Sequence, residues 1–107
     1  MTTFDDRERA FEAKYAHDEE MAFRVTARRN RLLGLWAAEK LGKHGEAAEA
    51  YAKSVVMADF EEEGDHDVFR KVRRDFDDAG VAQSDHQIRR TMDELLATAV
   101  EQLQTER

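Results

Sequence analysis

The sequence predicts an all-α protein: a four-helix bundle preceded by a mobile N-terminal amphipathic segment. Three observations carry this. Apolar residues recur at spacings of three and four in four successive stretches, the period of one helix face. Gly42, Gly45, Gly64 and Gly80 fall between these stretches, while the 107 residues contain no proline, so the strongest helix breaker is missing throughout. No stretch alternates apolar and polar residues as a strand would, and no repeat or low-complexity run interrupts the pattern.

The first helix is expected from about Glu19 to Leu41, with Met21, Val25, Leu32, Leu35, Trp36 and Leu41 along its apolar side. Gly42 and Gly45 end it, because glycine accepts the left-handed geometry at a helix C-terminus. The second runs from about Glu46 to Glu62. Ala48, Tyr51, Val55 and Phe60 face inward, widened by Ala52 and Val56, and Gly64 closes it. Asp65 is placed to cap the third, whose stripe is Val68, Phe69, Val72 and Phe76, and Gly80 stops it after Ala79. Ser84 and Gln87 have the spacing of a capping box and open the fourth helix, which carries Ile88, Met92, Leu95, Leu96, Ala99 and Leu103. Short glycine-containing links make successive helices neighbours, and a bundle buries the four stripes against one another. Leu32, Trp36, Tyr51, Val55, Val72, Phe76, Leu95 and Leu96 are the expected core.

Composition sets the outer limits. The chain is 41% hydrophobic and 38% charged, enough for one small domain with a thin core. It has no cysteine, which removes disulfides, thiolate metal sites and cysteine nucleophiles. No apolar run is long enough to cross a membrane, and the acidic N-terminus does not resemble a targeting peptide, so a cytoplasmic location is expected. A net charge of -7 argues against nucleic acid, whose phosphates need a basic surface.

Chemistry-bearing constellations are scarce. His17, His44, His66 and His86 never pair at three or four residues' spacing, as a helical metal site would need, and read as surface histidines. The acidic run ADFEEEGDHD lacks the alternating ligands of a calcium loop before its glycine. Ser54 and Ser84 have no adjacent base. No catalytic residue, metal ligand or cofactor is predicted, and the sequence argues against an enzyme. Two basic clusters stand out: Arg24, Arg28, Arg29 and Arg31, and Arg70, Lys71, Arg73 and Arg74. The plain reading is a solvated face balanced by acids one turn away. The functional reading is a docking patch for an acidic surface or a nucleotide phosphate.

The leading stretch TTFDDRERAFEAKYAHDEE has an aromatic face: Phe4, Phe11 and Tyr15 are separated by seven and four residues. Four complete stripes have little need of a fifth. From the residues alone, the segment either packs on the bundle or is kept for a partner groove. A break near His17 to Glu20 and a continuous helix from Thr3 to Leu41 are both allowed. A short aromatic stripe does not offset the entropy of ordering by itself, so residues 1–19 are expected to form a separate mobile arm, with 20–107 as the bundle.

The ordered succession TTFDDRERAFEAKYAHDEE, FRVTARRNRLLGLWAAEKLG, AYAKSVVMADFEE, DVFRKVRRDFDDAG and SDHQIRRTMDELL resembles the zeta subunit family, the ATPase inhibitor of bacterial F-type ATP synthases, over essentially the whole chain. The resemblance implies an inhibitory regulatory subunit that is monomeric when free. Its N-terminal segment is expected to fold as a helix wedged into a catalytic interface, blocking rotation and ATP hydrolysis. The implied contact residues are Phe4, Asp5, Arg7, Arg9, Phe11, Lys14 and Tyr15, which match the family's inhibitory stretch. The implied partner is the catalytic head, built of alpha, beta and gamma subunits, which would place the protein at the inner membrane's periphery without insertion. The resemblance also implies weak adenine-nucleotide binding at a non-catalytic site. It does not map that site; Arg28 with Arg31 and Lys71 with Arg74 are the first residues to consider. The alternative is a generic helical adaptor or regulator of another protein, which shares every feature read from the residues.

Overall fold

The structure is a computed structural model, and it describes residues 19–59 and 66–106. These form four helices: α1, Glu19–Lys40; α2, Glu46–Ala58; α3, His66–Ala79; and α4, Asp85–Thr105. No strand occurs among the described residues. Helix α1 packs against each of the other three, α3 joins α2 to α4, and the backbones of α2 and α4 do not approach each other closely. The fold is therefore the expected four-helix bundle, with α1 as its common wall.

The punctuation works as the residues dictate. At the end of α1, Lys43 N–H donates to Ala38 C=O (2.8 Å) and Gly42 N–H to Glu39 C=O (3.1 Å), with Gly42 at φ +76°. The end of α3 repeats this: Val81 N–H to Phe76 C=O (2.8 Å), Gly80 N–H to Asp77 C=O (3.2 Å), Gly80 at φ +70°. This paired arrangement satisfies carbonyls left open at a helix end, and its left-handed residue favours glycine. The capping box of α4 is complete, with Gln87 N–H on Ser84 Oγ (3.1 Å) and Ser84 N–H on Gln87 Oε1 (2.9 Å).

One boundary differs from expectation. Helix α2 stops at Ala58, and Asp59 closes it with a tighter bond, from its N–H to Val56 C=O (3.3 Å), rather than continuing to Glu62. Asp59 opens a dense acidic run, and carboxylates are unfavourable at the negative end of a helix dipole. Phe60, Gly64 and Asp65 lie outside the described residues.

The core also differs in phase. Tyr51, Val55, Val72 and Phe76 are buried as expected, but Leu32, Trp36, Leu95 and Leu96 are only half-buried. The innermost residues of α1 are Leu33, Ala37 and Ala38, with Gly34 beside them. A Cβ built on Gly34 would lie 2.5 Å from the Cα of Ala52. The backbones of α1 and α2 meet there, so the tight face of α1 is its smallest residues, and the larger Leu32 and Trp36 flank it. Trp36 packs edge-on against Phe76, ring centres 5.6 Å apart and planes at 64°.

Helices α2 and α3 are fastened by a polar contact across 24 residues of sequence: the buried Tyr51 hydroxyl donates to Asp75 Oδ2 at 2.7 Å. Lys71 Nζ reaches the same oxygen at 3.1 Å and lies 5.1 Å from the Tyr51 ring centre. Burial, then the hydrogen bond to the Asp75 carboxylate, pushes the phenol's pKa far above its ordinary value.

Two predictions follow from this packing. Gly34→Ala gains helix propensity but drives a methyl into the Ala52 backbone, a net loss of about 2 kcal/mol. Thermal denaturation should show a fall in Tm of roughly 10 °C; a rise would mean that propensity outweighs the contact. Tyr51→Phe should cost about 2 kcal/mol at neutral pH, since a hydrogen bond to a charged group is lost. The folded protein holds the neutral phenol, so the unfolded chain ionises first. Stability from Tyr51 is complete below about pH 10 and declines above it. Denaturant titrations from pH 8 to 11 should show a steeper alkaline loss for the wild type than for Tyr51→Phe.

Candidate functional site

The contact residues expected in the N-terminal arm, Phe4, Asp5, Arg7, Arg9, Phe11, Lys14 and Tyr15, lie outside the described residues, as does His17. The described helices carry the two basic clusters.

The first cluster is divided among different neighbours rather than presented as one patch. Arg28 extends from α1 to the C-terminal end of α4, where it donates to Gln102 Oε1 (2.9 Å) and pairs with Glu106 (2.8 Å). The Arg28 hydrogen bond holds the Glu106 carboxyl below the usual carboxylate range against a smaller effect of desolvation, with the charges of Arg28 and Arg24 adding to it. Arg31 turns the other way and grips both oxygens of Glu49 in α2, at 2.6 and 3.3 Å. The pair holds the guanidinium pKa above, and the Glu49 carboxyl below, their ordinary values, chiefly through the hydrogen bonds and then the mutual charge. Arg29 is buried, its Nε donating to Asn30 Oδ1 at 2.7 Å.

The second cluster follows the one-turn acid rule. Lys71 pairs with Asp75 and Arg73 with Asp77 (2.8 Å), four residues along α3, and Arg70 pairs with Asp67. Arg73 also reaches across the α3–α4 turn to Gln83 C=O (2.5 Å) and Asp85 (3.0 Å). Its guanidinium pKa is raised by the hydrogen bonds to Asp77 and Asp85 and by their charges. Arg74 is exposed and makes no ion pair among the described residues. Of the four cations considered for a nucleotide phosphate, Arg28, Arg31 and Lys71 are thus each held by a carboxylate, on three different partners.

An open depression where α1 meets α2 is lined by Arg31, Glu49, Ala50, Lys53 and Val56. It brings together no nucleophile and base. Among the described residues, no three His, Asp or Glu side chains converge as a metal site would require. No described helix is long and apolar enough to cross a membrane.

Sequence reasoning missed Gln102, Glu106 and Glu49 as arginine partners. They lie 74, 78 and 18 residues from the arginines that find them, and no local spacing signals such a pair. The signal for Gly34 was present: a lone glycine inside a helical pattern points to close packing.

The family model for ATPase inhibitor subunit zeta matches residues 1–102. The chain belongs to the ATPase inhibitor subunit zeta family. A structure solved by solution NMR is similar to this zeta-family chain at 48% identity and a TM-score of 0.73, covering 81% of this chain and 99% of that one. A search of the curated proteins finds no match. Membership makes this zeta-family protein one of a family of ATPase inhibitors, and the match runs from residue 1 through the first three helices and into α4.

The ion-pair geometry separates two adjacent arginines of this zeta-family bundle. Arg73→Ala removes a clamp on the α3–α4 turn and should lower Tm by a few degrees. Arg74→Ala should leave Tm unchanged. Equal melting temperatures for the two variants would contradict the clamp.

Proposed function

We propose that this protein inhibits an F-type ATP synthase through residues 1–19, which fold as a helix wedged into a catalytic interface of the alpha, beta and gamma head and block rotation in the hydrolysis direction. The single observation that carries the reading is that the family match begins at residue 1 and so includes the arm. The four-helix unit supports it from the other side. The described residues bury an apolar core drawn from all four helices, and on this reading the aromatic face of Phe4, Phe11 and Tyr15 is kept for a partner.

The energetics fit coupled folding and binding. Ordering a segment of this length costs on the order of 2–5 kcal/mol. Burying three aromatic side chains, at roughly 2–3 kcal/mol each, offsets that. Asp5, Arg7, Arg9 and Lys14 would then set register through charge pairs at the rim of the groove. The bundle acts as a handle, and the protein sits beside the membrane through the synthase. Weak adenine-nucleotide binding at a non-catalytic site is part of the same reading. Arg74 is the member of the four candidate cations with no ion pair among the described residues, so it is the first to test.

Deleting residues 1–19 should abolish inhibition of ATP hydrolysis by the purified head while the helical circular dichroism of the bundle persists. Phe11→Ala should weaken inhibition most among the aromatic changes, because Phe11 is central to the stripe. A buried anchor at an interface centre is worth about 2 kcal/mol, or roughly thirtyfold in affinity. Synthesis should be largely spared. Full inhibition by the truncated bundle would instead support a helical adaptor that acts through another surface.

A further inference from the structure

The apolar core is in two parts. The larger draws on all four helices and includes Leu33, Tyr51, Val55, Val72, Phe76 and Ile88. The smaller is Val25, Ala99 and Leu103, flanked by Met21, Leu32, Leu96 and Val100, and among the described residues it comes from α1 and α4. Along α1 their buried members, Val25 and Leu33, are separated by Arg29 and Asn30, both buried. Asn30 Nδ2 has no hydrogen-bond partner among the described residues, and a buried unpaired donor weakens the layer that contains it.

The smaller part is thus a two-helix end, joined to the main core through a polar layer. Across the helices it is fastened at Arg28, which bonds Gln102 and Glu106. That fastening faces water: the Glu106 side chain is 47% exposed. Few buried apolar contacts and a water-facing polar clamp mark a segment that opens more easily than the core.

The sequence gives the covered face a use. Phe11, Tyr15, Ala22, Val25 and Leu33 follow one another at spacings of four, seven, three and eight residues, all of which return to one side of a helix. No glycine or proline lies between Thr2 and Leu33. In a continuous helix, the aromatic face of the arm therefore runs into the face of α1 that carries Val25, which α4 covers through Ala99 and Leu103.

We propose that the C-terminal half of α4 is a strap over the N-terminal half of α1, and that it opens independently of the four-helix core to extend the inhibitory face through Ala22 and Val25. Closed, the strap competes with the ATPase groove for one apolar face. Open, it lets the groove take the arm and the start of α1 as a single helix. The extension rests on the reading of residues 1–19 as the inhibitory arm. The opening of the strap does not.

Native-state hydrogen exchange on the full chain, read by NMR, tests the opening directly. Amides of Val25 to Arg28 and Ala99 to Leu103 should exchange at least about tenfold faster than those of Leu33 to Ala38 and Ile88 to Met92. The double variant Gln102→Ala, Glu106→Ala removes the clamp from the α4 side and leaves α1 and the arm untouched. It should speed exchange in the first set by about fivefold, the effect of losing one exposed ion pair and one hydrogen bond, and leave the second set unchanged. Its half-inhibitory concentration on the ATPase should fall by the same factor, since the binding-competent state is more populated. Uniform exchange across both sets overturns the strap. Faster opening with unchanged inhibition overturns its competition with the ATPase. Retained inhibition after deletion of residues 1–19 overturns the arm reading and the extension with it, while the exchange result would still stand as evidence for the strap.

Discussion

The contact of Gly34 with the backbone of Ala52 sets the rest of the bundle. It lets α1 and α2 approach until only a hydrogen fits between them. With the two helices that close, Leu33, Ala37 and Ala38 are sealed on one side, and Tyr51 and Val55 are turned toward α3. Tyr51 then meets Asp75, and Phe76 meets the edge of Trp36. A wider spacing between α1 and α2 would break that chain of contacts at its first link. Glycine costs a helix about 1 kcal/mol relative to alanine. Here that cost is offset by packing that a side chain would prevent.

Polar links finish what the apolar faces begin. Arg31 with Glu49 ties α1 to α2, Tyr51 with Asp75 ties α2 to α3, and Arg28 with Gln102 and Glu106 ties α1 to α4. Between α3 and α4, Arg89 lies 3.2 Å from His66 Nδ1 and stacks 4.2 Å from the Phe69 ring centre. Four neighbouring pairs, α1–α2, α2–α3, α1–α4 and α3–α4, thus each carry a specific cross-helix polar contact. Exposed ion pairs contribute little energy individually. Their value here is register, since each can form at only one alignment of its two helices.

What was legible in the sequence was local. Gly42, Gly80 and the Ser84–Gln87 box act within a few residues of themselves, and each does what its chemistry requires. The α3 stripe is likewise clean, because large apolar residues alternate there with charges. The face of α1 was harder to read. Its tight contact depends on Gly34, Ala37 and Ala38, which add almost nothing to a hydrophobic pattern, while Leu32 and Trp36 drew the stripe to one side. The basic clusters divided in the same way. Lys71 and Arg73 found acids one turn away, as spacing suggests, but Arg28 and Arg31 found theirs on other helices. The inhibitory role was not legible in the residues at all. They indicated an amphipathic arm in excess of the fold's needs, and the family supplied the ATPase.

In the proposed function, residues 1–19 make the contact and the bundle holds them. Site-specific photocrosslinking tests that division most directly, with a photoreactive phenylalanine analogue placed either at Phe11 or at Met57, an exposed residue of α2. Incubated with the ATPase head during hydrolysis, the probe at position 11 should capture catalytic-head subunits, and the probe at position 57 should capture none. Capture from position 57, with none from position 11, would contradict this division and place the contact on the bundle.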